Sequence, residues 1–391
     1  MSAPDAQLVA TVRDFLVRTE SAPDDAGISA ALAHAGVMAD RRLLAGLVRS
    51  LRGELTGLGP VDRLVADPRV TDILVNGPGQ VWVDRGAGLV RTDVQFADDD
   101  AVRALAVRLA ARAGRRLDDA APFVDARLPG GQRLHAVIAP LATRGTSISL
   151  RIPSRRRFGV ADLVAAGSVD PDGARWLVGL VRSRAAFLVT GGTGSGKTSV
   201  LGALLGLVPG HERLVVVEDT AELDPDHPHV VSLESRPPNL EGRGEVTLRT
   251  LVRQAMRMRP DRIVVGEVRG AEVVELLAAL NTGHEGGCGT LHANSAQDVP
   301  ERLAALALAA GMSRDGVHAQ VTAGLDVVIH LVRGGEGRRV VQEIGIVIEE
   351  GRRAVVAAGL VRQSGALRPG PAYPRLAALL VPSLPDIPGA S

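Results

Sequence analysis

The chain has 391 residues, 46% of them hydrophobic, and a formal net charge of +1. That length supports two or three domains around sizeable cores, and the near-neutral charge excludes a chain built as a whole to wrap nucleic acid. Its one cysteine, Cys288, cannot close a disulfide within the chain, which fits a reducing compartment.

The opening MSAPDAQLVATVRDFLVRT carries Asp5 and Asp14 and no long apolar core ahead of a small-residue cleavage site, so the layout of a signal peptide is lacking. No run reaches the ~18 apolar residues of a membrane span. The expectation is a cytoplasmic protein that meets a membrane through a partner. Residues 1–56 show short helical patterns such as Leu43, Leu44, Leu47 and Leu51 and nothing chemical, which predicts a helical N-terminal segment. From 57 to 152 short β runs take over, at 73–77, 80–85, 133–141 and 146–152. Between them lies one helix, opened by Asp98, Asp99 and Asp100 and carrying Val102, Leu105, Ala106 and Leu109. This is the pattern of a compact α+β domain. PSRRRFG at 153–159 combines proline, like charges and glycine, and 153–169 is expected to be a linker.

From 170 to 366 apolar β runs at 185–190, 213–218, 262–267 and 288–293 alternate with helical patterns at 198–207, 248–258, 271–281 and 300–310. That alternation predicts an α/β domain, a mostly parallel sheet covered on both faces. Runs at 326–333 and 339–350, separated by GGEGR, predict a closing hairpin. The proline-rich tail, 367–391, is expected to be irregular.

The chemistry concentrates in the α/β part. Residues 191–199 read GGTGSGKTS, a full match to the phosphate-loop pattern, placed between a β run and a helical run. Gly191, Gly192, Gly194 and Gly196 allow the tight bend, with Thr193 and Ser195 between them, that aims backbone N–H groups at phosphate oxygens. The following helix adds its positive end beneath. Lys197 would place a point charge on the β- and γ-phosphates, with Thr198 in the shell of Mg²⁺ and Ser199 behind it. Lys197 is the only lysine in a chain that uses arginine everywhere else, and an arginine fork would not fit among the loop N–H groups. The expected ligands are therefore ATP and Mg²⁺.

Hydrolysis also needs acids near the γ-phosphate. VVVEDTAEL supplies Glu218, Asp219 and Glu222, and RIVVGEVRG supplies Glu267, each directly after a β run, where a parallel sheet presents its ligand edge. Glu267 is assigned to the metal, partly through water, and Glu218 or Glu222 to the attacking water; spacing does not choose between the two. Asp261 lies at the other end of its strand. TGHEGGCGTLHANS at 282–295 brings His284 and His292 close to a ligand or a subunit interface, and its H-x3-C-x3-H spacing matches no common zinc pattern.

In this order and spacing, GGTGSGKTS, VVVEDTAEL, RPDRIVVGEVRG and TGHEGGCGTLHANS resemble the Walker A, Asp box, Walker B and His box of the type II/type IV secretion ATPase superfamily. The resemblance is to its tight-adherence (Flp) pilus branch in particular, through GLGPVDRLVADPRVTDILVNGP at 57–78 and ESRPPNLEGRGEVTLRTLVRQAMRMRPDR at 234–262, and it covers about 57–350. It implies a RecA-like P-loop NTPase core beneath a smaller N-terminal α+β domain. It also implies a homo-hexamer, an inner-membrane platform protein as partner, and two arginines brought from the N-terminal domain to the nucleotide, matched here by Arg133 and Arg151. A four-cysteine zinc motif found in some members has no counterpart in this chain. The rival is a DNA-transfer or other nucleic-acid motor, against which stand the neutral charge and the 2% aromatic content. No specific nucleic acid is expected.

Overall fold

The structure, a computed structural model, describes residues 6–385 apart from 20, 87, 154–156, 237, 239–242, 284 and 335–336. The chain divides into two units, Met1–Arg155 and Arg156–Ser391.

The first unit opens with three helices, α1 (Ala6–Arg18), α2 (Asp25–His34) and α3 (Arg41–Thr56). Asp24 and Asp40 cap α2 and α3 by accepting first-turn N–H groups, and Val12, Leu16, Ile28, Leu32 and Leu51 close a small core of their own. After the short α4 (Asp62–Val65) come β1 (Asp72–Val75), β2 (Val81–Asp84), β3 (Leu89–Arg91), α5 (Asp99–Arg112), β4 (Phe123–Arg127), β5 (Arg133–Val137) and β6 (Ser147–Arg151). These strands form one antiparallel sheet in the order β3-β2-β1-β6-β5-β4. Alternate residues such as Ile73, Val75, Leu134 and Ile148 point inward to meet Val102, Leu105 and Leu109 of α5.

The second unit begins with α6 (Val160–Ala165) and α7 (Pro171–Arg182), so the expected linker is helical over part of its length. It continues with β7 (Phe187–Gly191), α8 (Lys197–Leu205), β8 (Leu214–Glu218), β9 (Val230–Glu234), α9 (Leu248–Ala255), β10 (Arg262–Val268), α10 (Val273–Leu280) and β11 (Cys288–Leu291). Then follow α11 (Val299–Ala309), α12 (Arg314–Gly324), β12 (Val327–Arg333), β13 (Arg339–Glu350), β14 (Arg353–Gln363), β15 (Ala366–Pro369) and α13 (Tyr373–Leu380). Nine strands join in the order β15-β14-β13-β12-β7-β11-β10-β8-β9. The stretch from β12 to β9 is parallel, and β13 to β15 extend it as antiparallel hairpins.

Strands buried on both faces read as continuous apolar runs, and the two faces sort by parity. Phe187, Val189, Leu214 and Val216 pack on α7, α8 and α13 through Leu177, Leu204 and Leu376. Leu188, Val215, Val217 and Val265 pack on α9 to α12 through Val252, Leu276, Leu303 and Val317. The tail departs from expectation: 366–385 forms β15, α13 and a 3-10 turn, with Leu367, Leu376 and Leu380 buried. Pro374 and Pro382 sit in the first turns of the two helical pieces, where a missing N–H costs nothing, so they start structure rather than prevent it.

Candidate functional site

β7 lies between β11 and β12, with Leu291 opposite Thr190 and Leu331 opposite Gly191, and its C-terminal end delivers the glycine loop to the head of α8. Three glycines there have conformations that side chains rarely adopt: Gly191 at φ +145°, Gly194 at φ +70° and Gly196 at φ +93°. Gly191 is needed for space, since a Cβ would sit 2.4 Å from the Leu331 carbonyl oxygen. Gly192, Thr193 and Gly194 are exposed, and no side chain caps the first turn of α8, which leaves its N–H groups for a ligand. The Lys197 ammonium donates to the carbonyls of Gly191 (3.1 Å) and Gly192 (3.0 Å). Burial lowers its pKa, with Glu267 pulling in the other direction. Among the described residues Ser195 Oγ is buried without a partner, and Thr198 and Ser199 are half-buried in the first turn. A bent loop, open N–H groups, an ammonium and an orphaned hydroxyl fit a phosphate chain.

The acids come from the strands beyond β11. Glu218 ends β8 and is buried, and its Oε1 accepts the N–H groups of Glu222 and Leu223, both at 3.1 Å. Burial pushes its carboxyl up to about 7. Gly266 on β10 makes room for it, since a Cβ there would stand 2.4 Å from Glu218 Cγ. Glu222 is exposed on the loop that Glu218 fastens. Glu267 is half-buried and ion-paired with Arg269, whose guanidinium also lies 3.6 Å from Asp219. His292 Nε2 lies 3.9 Å from Glu267 Oε1 and 3.4 Å from Thr193 Oγ1. Burial, then the Lys197 charge, holds this imidazole below its usual pKa, so it is mainly neutral at pH 7. A polar chain thus runs from the glycine loop through His292, Glu267 and Arg269 to Asp219.

Other expected residues are placed elsewhere. His284 lies outside the described residues; after it, Glu285 is 3.9 Å from Arg184, and Gly286 packs on Arg262. That turn feeds the start of β11, where Cys288 pairs with Phe187, the sheet edge opposite the glycine loop. Arg133 and Arg151 belong to the first unit. They are register partners on β5 and β6, and they pair with Asp125 (3.0 Å) and Asp72 (3.4 Å). Asp261 accepts the Arg213 N–H at 2.7 Å, tying together the starts of β8 and β10. Among the described residues no group of three or more His, Cys, Asp or Glu side chains is arranged to hold a metal. The Thr198 hydroxyl and the Glu267 carboxylate suit a Mg²⁺ that keeps waters and takes its remaining ligands from phosphate.

Two side chains at the site escaped sequence reasoning. Arg269 stands in GEVRG, where a solvated arginine is the ordinary expectation. His330 lies on β12 opposite Thr190, its Nδ1 3.0 Å from the Thr190 hydroxyl, with the Asn294 backbone on its other side. The available signal was a polar residue at an inward position of an apolar run.

A glycine loop between a central parallel strand and a helix, flanked by strand-end acids, defines the class as a phosphate-binding α/β protein. The chain belongs to the Type II/IV secretion system protein family, whose signature matches residues 54–360. Over 323 residues it is 54% identical to a Mycobacterium tuberculosis protein assigned by name to conjugal transfer, covering 81% of this chain and 92% of that one. It is 35% identical over 299 residues to the type IV secretion system protein PtlH of Bordetella pertussis, covering 69% of this chain and 88% of that one. The solved structure of the pilus retraction motor PilT with bound ADP is 20% identical and superposes with a TM-score of 0.53 over 83% of this chain and 86% of that one. The fold is therefore an α/β RecA-like P-loop core with a smaller N-terminal α+β domain and N-terminal helices.

Proposed function

We propose that the chain is an ATP-hydrolysing motor subunit that converts ATP and water to ADP and phosphate and couples the reaction to domain movement in a homo-hexameric ring. One observation carries this: the Lys197 ammonium is held by two loop carbonyls at the open head of α8, with His292 and Glu267 on the neighbouring strand ends. Lys197 and the N–H groups of 192–199 bind the phosphates. Thr198 and Glu267 would hold Mg²⁺, partly through water, and the ion would supply positive charge to the phosphate chain. Glu218, at about 7, is matched to exchanging a proton near neutral pH, and Glu222 rides on the loop it fastens. His292, neutral and against Thr193, reads the γ-phosphate; His284 is proposed for the subunit interface. Arg133 and Arg151 supply positive charge when the N-terminal domain closes over the nucleotide.

The test is direct. The wild type should bind Mg·ATP and release phosphate, Lys197→Ala should lose both, and Glu218→Gln and Glu222→Gln should separate the base from its neighbour by turnover at saturating ATP. Intact turnover in Lys197→Ala would sink the proposal.

The work performed is assigned to a tight-adherence pilus or related secretion machine, on the cytoplasmic side of the inner membrane and against a membrane platform protein. Among the described residues no helix is long and apolar enough to cross a membrane. The 54% identity to a protein named for conjugal transfer favours a second reading, a DNA-transfer motor. Phosphate release stimulated several-fold by DNA would select the second, and indifference to DNA the first.

A further inference from the structure

The glycine loop has a second wall, formed by the β12–β13 hairpin. The stem of Arg339, the first residue of β13, lies along the left-handed Gly196: a Cβ at that glycine would stand 3.2 Å from Arg339 Cδ, 3.7 Å from its Cβ and 3.9 Å from its Cγ. The guanidinium begins one C–N bond, about 1.45 Å, beyond Cδ. The stem therefore brings it to the head of α8, where Gly196 is the residue before Lys197. The residue is exposed, and its guanidinium forms no hydrogen bond or ion pair among the described residues. Arg269, the other arginine near the loop, is instead neutralised by Glu267 and Asp219. Glu343, the nearest acid along β13, accepts from Gln297 at 2.8 Å.

The two walls differ in character. β11, β10 and β8 bring His292, Glu267 and Glu218 to one flank of β7, whereas β12 and β13 bring Arg339 to the other. A triphosphate lying across the loop with its γ end toward His292 turns its α-phosphate and nucleoside end toward the hairpin. On that flank an uncompensated guanidinium adds to the helix N-terminus and to Lys197.

We infer that Arg339 is a nucleotide-binding residue that grips the α/β-phosphate part of the bound nucleotide, the part that ATP and ADP share. This rests on the nucleotide reading above and adds a specificity to it: Arg339 holds the nucleotide before and after hydrolysis alike. Arg339→Gln is the cleanest variant, because it keeps the stem over Gly196 and removes only the charged fork.

Calorimetric titration of the full chain with Mg·ADP and with a non-hydrolysable Mg·ATP analogue tests this, using wild type, Arg339→Gln, Arg339→Lys and Lys197→Ala. Arg339→Gln should weaken both ligands by the same factor, about tenfold for one charge-assisted contact, with Arg339→Lys recovering part of the loss. Wild-type affinity for both ligands in Arg339→Gln, or weakening of the ATP analogue alone, would overturn the assignment while Lys197→Ala still shows the site to be real. Failure of the wild type to bind either ligand would instead overturn the nucleotide reading itself.

Discussion

Glu218 is a carboxyl that the fold makes hard to ionise. Its ordinary value near 4.5 rises to about 7 because burial outweighs the two N–H groups it accepts. Between those values the folded chain binds more protons than the unfolded one, so stability falls as pH rises through that window, and the full penalty is present above it. Glu218→Gln keeps an oxygen for both N–H groups and removes the titration. Its melting temperature should exceed that of the wild type by more at pH 8 than at pH 5, with a relative gain on the order of 2 kcal/mol; equal differences at the two pH values would place the carboxyl in water. At this scale the sequence was informative about identity and silent about environment. The motif names Glu218 and Glu222 equally, and only packing separates a buried carboxyl from an exposed one four residues later.

Between elements, the close approach of β8 and β10 depends on a glycine. With Gly266 facing Glu218, an added methyl would collide with the Glu218 stem at 2.4 Å. Gly266→Ala should therefore destabilise the second unit by about 1–3 kcal/mol and reduce turnover. Adding Glu218→Ala should recover part of the stability, and a denaturation double-mutant cycle showing strict additivity would remove the contact from the account. The site-bearing strands were legible because their apolar runs are long and end in turn residues. β3, β4, β9, β14 and β15 were not; β3, β9 and β15 are edge strands that bury little, and β9 alternates only between half-buried and exposed positions, whereas β14 lies inside the sheet. The tail differs for another reason: its proline content predicts an irregular segment, whereas in 373–383 proline opens helical turns whose leucines complete the core.

At the level of the whole chain, the two units hold separate cores. Those of the first are closed by α1 to α3 and by α5 on its antiparallel sheet, and those of the second by helices on both faces of the nine-stranded sheet. A fragment ending at residue 153 should consequently fold alone and unfold cooperatively, as read by circular dichroism during chemical denaturation; a fragment without a cooperative transition would show that the first unit depends on the second. The sequence shows a shift from α+β to β/α patterning, while the distribution of chemistry within the units depends on pairing partners that no local pattern contains. One consequence concerns Lys197. It is the sole side-chain amine among 391 residues, and burial lowers its pKa from the ordinary lysine value. Acylating reagents, or a cellular acetyl donor, thus have one lysine to find, and it sits where the fuel must bind, so a single small covalent cap would disarm the molecule and occupancy of the loop would shield it.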